Sequence, residues 1–459
     1  MNESSIIAKY VKETLYEDLP PRVVEMTKMS LLDALGVTLA ASGQSSECRA
    51  FADLAIESGG TKESTILGFQ DQVPALMAAF VNGSMAHALD FEDAHDKALV
   101  HPNAVSVPVA LALAEKMGNV DGKKLITALA VGCDIVCRFG LAFKENPIES
   151  GWYIPPILGS FGAVAAACKL LNLNEEQILD AFSLNLCQTT CSAELTYSPY
   201  SDIRAIRDAF AAKGALFSGL LAKKGIKGFD HPIEGKAGLF SLYSKGNYDS
   251  SMLTEGLGTR YEGENVSFKP WPTCRGTHTF IEAALQLMSD YFMDTNDIVD
   301  MRVVVSSFNR MLCEPMEVKT APKAVIDAKF SIPFTLATAL YYKRVDLDHF
   351  TPQRLMNEDV LQLARKTRYD VDPDLGLRDA TRGFLEIRTK DNKIFSKQVD
   401  HAYGNPENPI KEDDLINKFM DCAKKAVKKI PEKHLEKAVK YIMTLETVGD
   451  IREIMDSFR

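Results

Sequence analysis

The sequence lacks the excess of positive charge that a nucleic-acid-binding protein needs. Its 459 residues include 52 Lys and Arg against 62 Asp and Glu, which gives a formal net charge of −10. Because binding to a polyphosphate requires a basic face, this balance argues against nucleic acid as a partner. A small anionic substrate is compatible with the composition, since its site needs only a few local cations.

Long apolar runs and paired cysteine motifs are also missing. No run of about 18 apolar residues occurs, and the polar start of the chain has no basic segment followed by an apolar core. We therefore expect no membrane span and no secretory signal. The nine cysteines include no Cys-x-x-Cys pair. This pattern favours buried free thiols in a reducing compartment, and we expect a cytoplasmic location.

The hydrophobic pattern divides the chain into a helical part and a mixed part. In the first part apolar residues recur at helical spacing, and several segments are rich in Ala and Gly, which is typical of closely packed core helices. β-branched stretches follow at 299–306 and on both sides of a Lys-Asp-Asn-Lys turn. Helical spacing returns towards the C-terminus. We expect a mainly α fold with an α+β insertion: a large all-helical domain of residues 1–260 and 404–459, and a smaller α+β domain of residues 261–403.

Acid–base side chains are concentrated between residues 87 and 101. These fifteen residues hold three histidines and four carboxylates between two apolar stretches: His87, Asp90, Glu92, Asp93, His95, Asp96 and His101. Ionisable groups in such a position are costly for folding unless they are solvated or used. On a helix, His87, Asp90 and Asp93 would fall on one side, while His101 precedes a proline that favours an extended backbone. A metal site, a solvated helix end and an acid–base site with a tuned histidine are the three interpretations.

Three further clusters carry side chains suited to an anionic ligand. The loop that contains Lys269 leads to His278 at a predicted helix start, where a helix N-terminus favours negative charge. Arg204 and Arg207 are three apart, so on a helix they share a face, and arginine forks bind carboxylates bidentately. Tyr153 lies ahead of a helix of small residues. A structural role is the alternative for each cluster: a capping loop, an ion-paired surface and a packing aromatic.

The clusters belong to a longer series of motifs that spans essentially the whole chain. In order, these are Asn82-Gly83 with His87-x-x-Asp90-Phe91-Glu92-Asp93, His101-Pro102, Gly159-x-Phe161-Gly162, Arg204-x-x-Arg207, Gly225-Ile226-x-Gly228, Glu234-Gly235-x-x-Gly238-Leu239-Phe240, Lys269-Pro270-Trp271-Pro272-x-Cys274 with His278, and Asp327-Ala328-Lys329-Phe330-Ser331-Ile332-Pro333-Phe334. The series resembles the MmgE/PrpD family, which includes 2-methylcitrate dehydratase, cis-aconitate decarboxylase and iminodisuccinate epimerase.

The resemblance implies both an architecture and a chemistry. It implies a large helical domain, a smaller lid domain and an active site between them. It also implies a homodimer that acts on small di- or tricarboxylic acids without a metal or an organic cofactor. Asp90 is similar to the first aspartate of the family's Asp-x-Asp-Asp motif, with Glu92 in place of the second. His101 matches the histidine of the His-Pro motif, and His278 matches the lid-domain histidine.

Three positions depart from the decarboxylase branch of the family. Ala94, Tyr153 and Arg204 stand where that branch is expected to carry threonine, histidine and lysine. These departures argue against cis-aconitate decarboxylation by this chain, and they weaken 2-methylcitrate dehydration as well.

The residues and the resemblance together lead to one functional hypothesis and its alternatives. We expect a lyase, first a hydratase or dehydratase, and second an epimerase or isomerase of a dicarboxylate. A catalytically silent carboxylate-binding paralogue or a helical scaffold is the alternative of a different class. The expected catalytic residues are Asp90, His101, Tyr153 and His278, and the expected substrate-binding residues are Arg204, Arg207 and Lys269.

Overall fold

The computed structural model describes residues 2–145, 147–198 and 201–459. The chain forms two compact units, residues 1–266 with 411–459 and residues 267–410. We call the first the helical unit and the second the α+β unit. The boundaries of the α+β domain that are predicted from the sequence lie at 260/261 and 403/404.

The helical unit consists mainly of α-helices, with one short antiparallel β-ribbon. Its elements are α1 (Glu3–Glu13), α2 (Pro21–Gln44), α3 (Ser46–Glu57), β1 (Ser64–Thr65), β2 (Gln72–Val73), α4 (Ala75–Ala88), α5 (Pro102–Met117), α6 (Gly122–Ala142), α7 (Ile154–Leu170), α8 (Glu175–Leu186), α9 (Ile203–Ile206), α10 (Asp208–Lys223), α11 (Leu239–Ser244), α12 (Ser250–Thr254), and, after the α+β unit, α19 (Glu412–Ala423), α20 (Glu432–Met443) and α21 (Arg452–Met455).

The core of the helical unit is built from helices that approach one another through small residues. Helix α7 packs against α5, α6 and α10. A Cβ atom added to Gly162 would lie 2.1 Å from Val136 Cγ2 and 2.5 Å from the carbonyl oxygen of Gly132. The Ala- and Gly-rich composition of α6 and α7 therefore has a direct structural reason, because larger side chains would separate the two helices.

Helix α6 is long and apolar enough to cross a membrane, by length and composition alone. Here it is almost entirely buried within the helical unit, and it contains a buried ion pair in which Arg138 Nε lies 2.8 Å from Asp134 Oδ2. Arg138 also donates hydrogen bonds to the carbonyl oxygens of Met252 and Glu255. These contacts are those of a core helix.

The α+β unit combines a mixed sheet with short helices. Its elements are α13 (His278–Tyr291), β3 (Ile298–Val305), α14 (Met316–Lys319), α15 (Val325–Lys329), α16 (Ile332–Tyr342), α17 (Pro352–Leu355), α18 (Glu358–Ala364), β4 (Thr367–Val371), β5 (Gly383–Thr389) and β6 (Ile394–Val399). The strand order is β4-β3-β5-β6, with β3 parallel to β4 and the other two pairs antiparallel. Helix α13 packs against β5, β6 and α16, and apolar residues that alternate along β3 and β5 fill the space between them.

The structure confirms the predicted fold class, a mainly α chain with an α+β insertion. Two local predictions differ from it. Residues 90–93 are not helical, because α4 ends at Ala88. Strand β4 (Thr367–Val371) is not predicted, because its partly exposed Thr-Arg-Tyr-Asp-Val sequence lacks the apolar alternation of a strand that faces a core.

The contact between α6 and α7 leads to a prediction about stability. Gly162→Val should lower the melting temperature, with a loss of about 1–3 kcal/mol in the free energy of unfolding, because the side chain meets backbone atoms of α6. Thermal denaturation followed by circular dichroism measures the effect. Gly449→Ala is the matched control, since none of the described residues has an atom within 4 Å of a Cβ atom at that position. Equal melting temperatures for Gly162→Val and the control would contradict the close approach.

Candidate active site

The acidic segment follows α4 as a turn with a left-handed residue. Leu89 caps the helix, and Asp90 has a φ of 51°. Asp and Asn adopt this conformation more readily than other non-glycine residues. The prediction that His87, Asp90 and Asp93 share one side of a helix is therefore wrong, because the helix does not reach Asp90. The turn instead carries Asp90, 3% exposed, and Glu92, 1% exposed, into the interior of the helical unit.

Glu92 lies between two histidines. His87 Nδ1 is 2.5 Å from Glu92 Oε1, and His101 Nδ1 is 2.8 Å from the same oxygen. The two imidazole rings have their centroids 5.0 Å apart. His87 belongs to the last turn of α4, whereas His101 is the residue before α5 and has a non-helical backbone, with φ −113° and ψ 85°. One buried carboxylate therefore connects the end of one helix with the start of the next.

The tautomer of His101 follows from its neighbours. Its Nδ1 also lies 3.1 Å from the carbonyl oxygen of Asp93, and a carbonyl oxygen can only accept a hydrogen bond. The proton is therefore on Nδ1, and Nε2 carries the lone pair in the neutral ring. Because 18% of the His101 side chain is exposed, while that of Glu92 is buried, His101 is the member of the pair that a ligand can reach.

The same cluster contains side chains of the kinds that bind metal ions. Polar atoms of His87, Asp90, Glu92 and His101 all lie within 4.8 Å of one another. However, the contacts of 2.5 Å and 2.8 Å between imidazole nitrogens and a carboxylate oxygen are hydrogen-bond distances. Two ligands around a tetrahedral zinc ion at about 2.0–2.1 Å would be roughly 3.3 Å apart. The arrangement fits shared protons better than a shared cation.

The electrostatic surroundings keep His87 neutral. Burial lowers the pKa of His87, and the positive charge of Arg207 lowers it further, against the opposing effect of Glu92. At neutral pH, His87 is thus an uncharged donor to the Glu92 carboxylate. Neither His87 nor Glu92 is among the site residues expected from the sequence.

Further polar and charged groups contact the turn that carries Glu92 and fix its position. Lys418 of α19 lies 2.5 Å from Asp33 Oδ1 of α2, and it donates a hydrogen bond of 2.7 Å to the carbonyl oxygen of Phe91. Asp93 accepts a hydrogen bond of 2.6 Å from the side chain of Asn103. Burial, followed by the charge of Asp33, raises the pKa of Asp93 to about 7. These contacts fix both ends of the turn that carries Glu92.

Arg207 and Tyr153 form the other part of the cluster. The Arg207 guanidinium lies 4.9 Å from the centre of the Tyr153 ring, and it interacts electrostatically with Glu92. Only 3% of Arg207 is exposed. Its Nη1 donates to the carbonyl oxygen of Arg204, whereas its Nε and Nη2 have no hydrogen-bond partner among the described residues. The buried Asp208 Oδ2 lies 3.8 Å from Nε, which is an ion-pair contact beyond hydrogen-bond distance. A buried guanidinium with donors that make no hydrogen bond is suited to bind a carboxylate.

The two arginines do not form the pair that the sequence predicts. Helix α9 ends at Ile206, so Arg207 lies between α9 and α10 and is turned into the interior. Arg204 is only half-buried. The prediction of a shared helix face is wrong because the helix breaks between the two residues.

The remaining predicted site residues lie in the α+β unit. Lys269 and His278 are both fully buried there. His278 begins α13, as predicted. Its Nδ1 lies 3.2 Å from Arg275 Nη1 and its Nε2 lies 3.3 Å from the carbonyl oxygen of Thr273, so the ring is a neutral tautomer with its proton on Nε2. The structure thus brings together Asp90, His101, Tyr153 and Arg207 in the helical unit, while the contribution of Lys269 and His278 to the same site stays a prediction.

The pKa of Asp93 leads to a prediction about stability and pH. The folded-state pKa of about 7 lies above the usual value of 3.8. Between these values the folded protein holds a proton that the unfolded chain has released, so Asp93 makes the fold less stable as the pH rises from about 4 to 7. Asp93→Asn cannot titrate, so over this range its melting temperature should rise relative to that of the wild type. Its free energy of unfolding should exceed the wild-type value by up to roughly 4 kcal/mol.

Thermal denaturation at several pH values between 4 and 8 tests this prediction. Asp290→Asn, at an exposed position near the end of α13, is the control and should show a constant difference from the wild type. A constant difference for Asp93→Asn as well would mean that Asp93 is ionised throughout.

Comparisons with known proteins agree with this picture of a helical domain followed by a smaller domain. The MmgE/PrpD N-terminal domain matches residues 5–251, and the MmgE/PrpD C-terminal domain matches residues 271–442. A cis-aconitate decarboxylase-like protein of Aspergillus oryzae is 26% identical over 475 aligned residues, which cover 99% of this chain and 96% of that protein. The cis-aconitate decarboxylases of Mus musculus and Homo sapiens are 24% and 25% identical, over 88% and 93% of this chain and 83% and 89% of their own lengths. Because the two domains match most of its length, this chain belongs to the MmgE/PrpD family.

Proposed function

We propose that this chain is a lyase that moves a proton at the carbon next to a carboxylate of a small di- or tricarboxylic acid. Within this class we favour a hydratase or dehydratase that uses no metal and no organic cofactor. The observation that carries the proposal is the buried Glu92–His101 contact beside a buried arginine with unused donors.

His101 is suited to be the base. Its Nδ1 donates a hydrogen bond to the Asp93 carbonyl oxygen and lies 2.8 Å from Glu92 Oε1, so Nε2 is available to take a proton from carbon. The imidazolium that forms is then stabilised by the Glu92 carboxylate, in the way that a buried acid supports a catalytic histidine. Asp90, close to the same ring, adds a second negative charge to the surroundings of the imidazolium.

Arg207 is suited to hold the substrate carboxylate on which negative charge builds. Its Nε and Nη2 can donate to the two oxygens of one carboxylate, and these hydrogen bonds strengthen as the carbon loses its proton. The Tyr153 ring beneath the guanidinium fixes its plane. Arg204 and Lys269 are expected to bind a further carboxylate of the same substrate.

A dehydration needs one more proton transfer. The electron pair of the broken C–H bond forms the double bond, and the hydroxyl on the neighbouring carbon leaves as water once it receives a proton. Tyr153 and His278 are the candidate donors for this proton. Tyr153 is next to the guanidinium that would hold the substrate.

Two other reactions have specific support. Cis-aconitate decarboxylation is the activity in the names of the relatives, although Ala94, Tyr153 and Arg204 depart from the residues expected of that branch. Epimerisation of a dicarboxylate is favoured by a phenol at Tyr153 in addition to the His101 base, because two proton donors on opposite faces of a carbon exchange its configuration.

The assembly and location of the protein are part of the same proposal. We expect a homodimer in the cytoplasm. Helix α10 exposes Phe210 and Phe217, which are 55% and 42% exposed, and exposed aromatic residues often mark a protein–protein contact. No partner other than a second copy and the carboxylate substrate is expected.

Incubation with a panel of di- and tricarboxylates in heavy water distinguishes these reactions. A change in ultraviolet absorbance as a conjugated double bond forms or disappears indicates hydration or dehydration. Deuterium at carbon without net conversion indicates epimerisation, and release of carbon dioxide indicates decarboxylation. Absence of both exchange and conversion with every acid would refute the proposal and favour a silent carboxylate-binding protein.

Once a substrate has been identified, single substitutions test the residues proposed to transfer protons. His101→Ala and His278→Ala should each lower turnover by at least about 100-fold, because each removes a proton-transfer group. His401→Ala, at an exposed position in the α+β unit, is the control and should leave turnover unchanged. A near-normal rate in His101→Ala would exclude it as the base, and the same result for His278→Ala would assign that histidine to structure.

Arg207→Lys tests carboxylate binding separately from proton transfer. Lysine keeps the charge but cannot donate two parallel hydrogen bonds, so KM should rise by at least about tenfold, since hydrogen bonds to charged groups contribute roughly 1.5–3 kcal/mol. Steady-state kinetics measures KM, with Arg22→Lys, an exposed residue of α2, as the control. An unchanged KM would remove Arg207 from the substrate site.

A further inference from the structure

We propose that His87 is a positioning residue of the reaction, which orients the Glu92 carboxylate towards His101 and shares its negative charge. The proposal rests on the proposed function of the site, because it concerns the group that supports the His101 base. It assigns a role to a histidine that packing alone would not require.

The geometry separates His87 from a packing residue. Its Nδ1 makes a hydrogen bond of 2.5 Å to Glu92 Oε1, the same atom that lies 2.8 Å from His101 Nδ1. The carboxylate is 99% buried, so it depends on neighbouring groups rather than solvent for its orientation. A side chain that only filled space on α4 would not need to meet this one oxygen with a donor.

The charges around His87 define what it contributes. Asp90 and Glu92 face it from the turn, and His101 faces it from the residue before α5. Arg207, between α9 and α10, and Asp208, the first residue of α10, act on it electrostatically. Burial and Arg207 lower the pKa of His87, so it remains a neutral donor at neutral pH. Two imidazoles on one carboxylate thus have different tasks: one changes its charge in the reaction, and the other keeps the carboxylate ionised and in place.

The consequence of removing this donor has a defined sign. A carboxylate that loses one of its hydrogen-bond donors is stabilised less, so it interacts more strongly with the cationic form of a neighbouring group, and His101 Nδ1 lies 2.8 Å from it. The imidazolium form of His101 is then favoured over the neutral base. The acid limb of the pH profile of kcat/KM, which reports the deprotonation of the free-enzyme base, should therefore move to higher pH.

Two substitutions at His87 test the inference. His87→Phe keeps the ring volume and removes the donor, and we expect kcat to fall by at least about tenfold, with KM changed by less than about twofold and the acid limb shifted upwards. His87→Asn retains an N–H group near the position of Nδ1, so its kcat should lie between those of His87→Phe and the wild type. Equal losses in both variants with an unshifted acid limb would mean that His87 is structural.

A matched control accounts for the loss of a buried histidine as such. His349 is 4% exposed in the α+β unit, and its Nδ1 accepts a hydrogen bond of 3.0 Å from the backbone of Asp346. His349→Phe should lower the melting temperature and leave the acid limb in place. A similar shift of the acid limb in this control would overturn the assignment to His87.

A measurement on the free enzyme keeps the inference testable without a known substrate. Nuclear magnetic resonance of protein labelled with 15N-histidine should show Nδ1-protonated, hydrogen-bonded signals for both His87 and His101, and His87→Asn should shift the titration of His101 less than His87→Phe does. An unchanged His101 titration in both variants would overturn the inference, whatever the activity of the enzyme. Failure of the carboxylate panel together with these shifts would instead refute only the proposed function.

Metal analysis of the purified protein decides the alternative use of the cluster. Less than a tenth of an equivalent of transition metal in the wild type is the expected result. One equivalent of metal in the wild type that is absent from His87→Phe would overturn the inference, because His87 would then be a ligand and not a donor to Glu92.

Discussion

A carboxylate that is 99% buried has to be compensated from within the fold, and for Glu92 this requirement determines the arrangement of the whole acidic segment. His87 reaches the carboxylate from the end of α4, and His101 reaches it from the start of α5. Arg207 adds a positive charge from a third segment. The chain can place two histidines at one carboxylate oxygen, with an arginine in the same surroundings, because the backbone turns between the two helices, where Asp90 adopts a left-handed conformation.

Close helix packing and buried charges contribute to this arrangement in different ways. The small residues of α6 and α7 let these core helices pack closely. Separately, His87, Asp90 and Glu92 are buried, and a buried environment strengthens the hydrogen bonds among such groups. The Asp33–Lys418 pair and Asn103 then hold the turn at its backbone and at Asp93. These contacts fix the positions of the hydrogen-bonded groups. The buried charges make His87 and His101 differ, because Arg207 acts on the buried His87, whereas His101 is partly exposed.

Sequence patterns alone define the fold class and the segment of interest, but not the contacts within the segment. Apolar periodicity reflects which face of a helix is buried, so the long helices and the strand pair β5–β6 follow from it. The partners of Glu92 do not follow from this periodicity. If the helix continued past Ala88, Asp90 would lie beside His87 and Glu92 would point away from both histidines. The position of Arg207 is predicted wrongly for a similar reason, because no residue near it signals that α9 ends at Ile206. Asp33 and Lys418 resemble ordinary surface charges until the fold brings them together.

Lys418 has a consequence for the order in which the molecule is made. It is separated by 327 residues from Phe91, whose carbonyl oxygen it holds. During synthesis the acidic turn, both of its histidines and the entire α+β unit emerge from the ribosome before the lysine that secures the turn. The hydrogen bond that secures the turn at Phe91 can therefore form only after α19 has been translated.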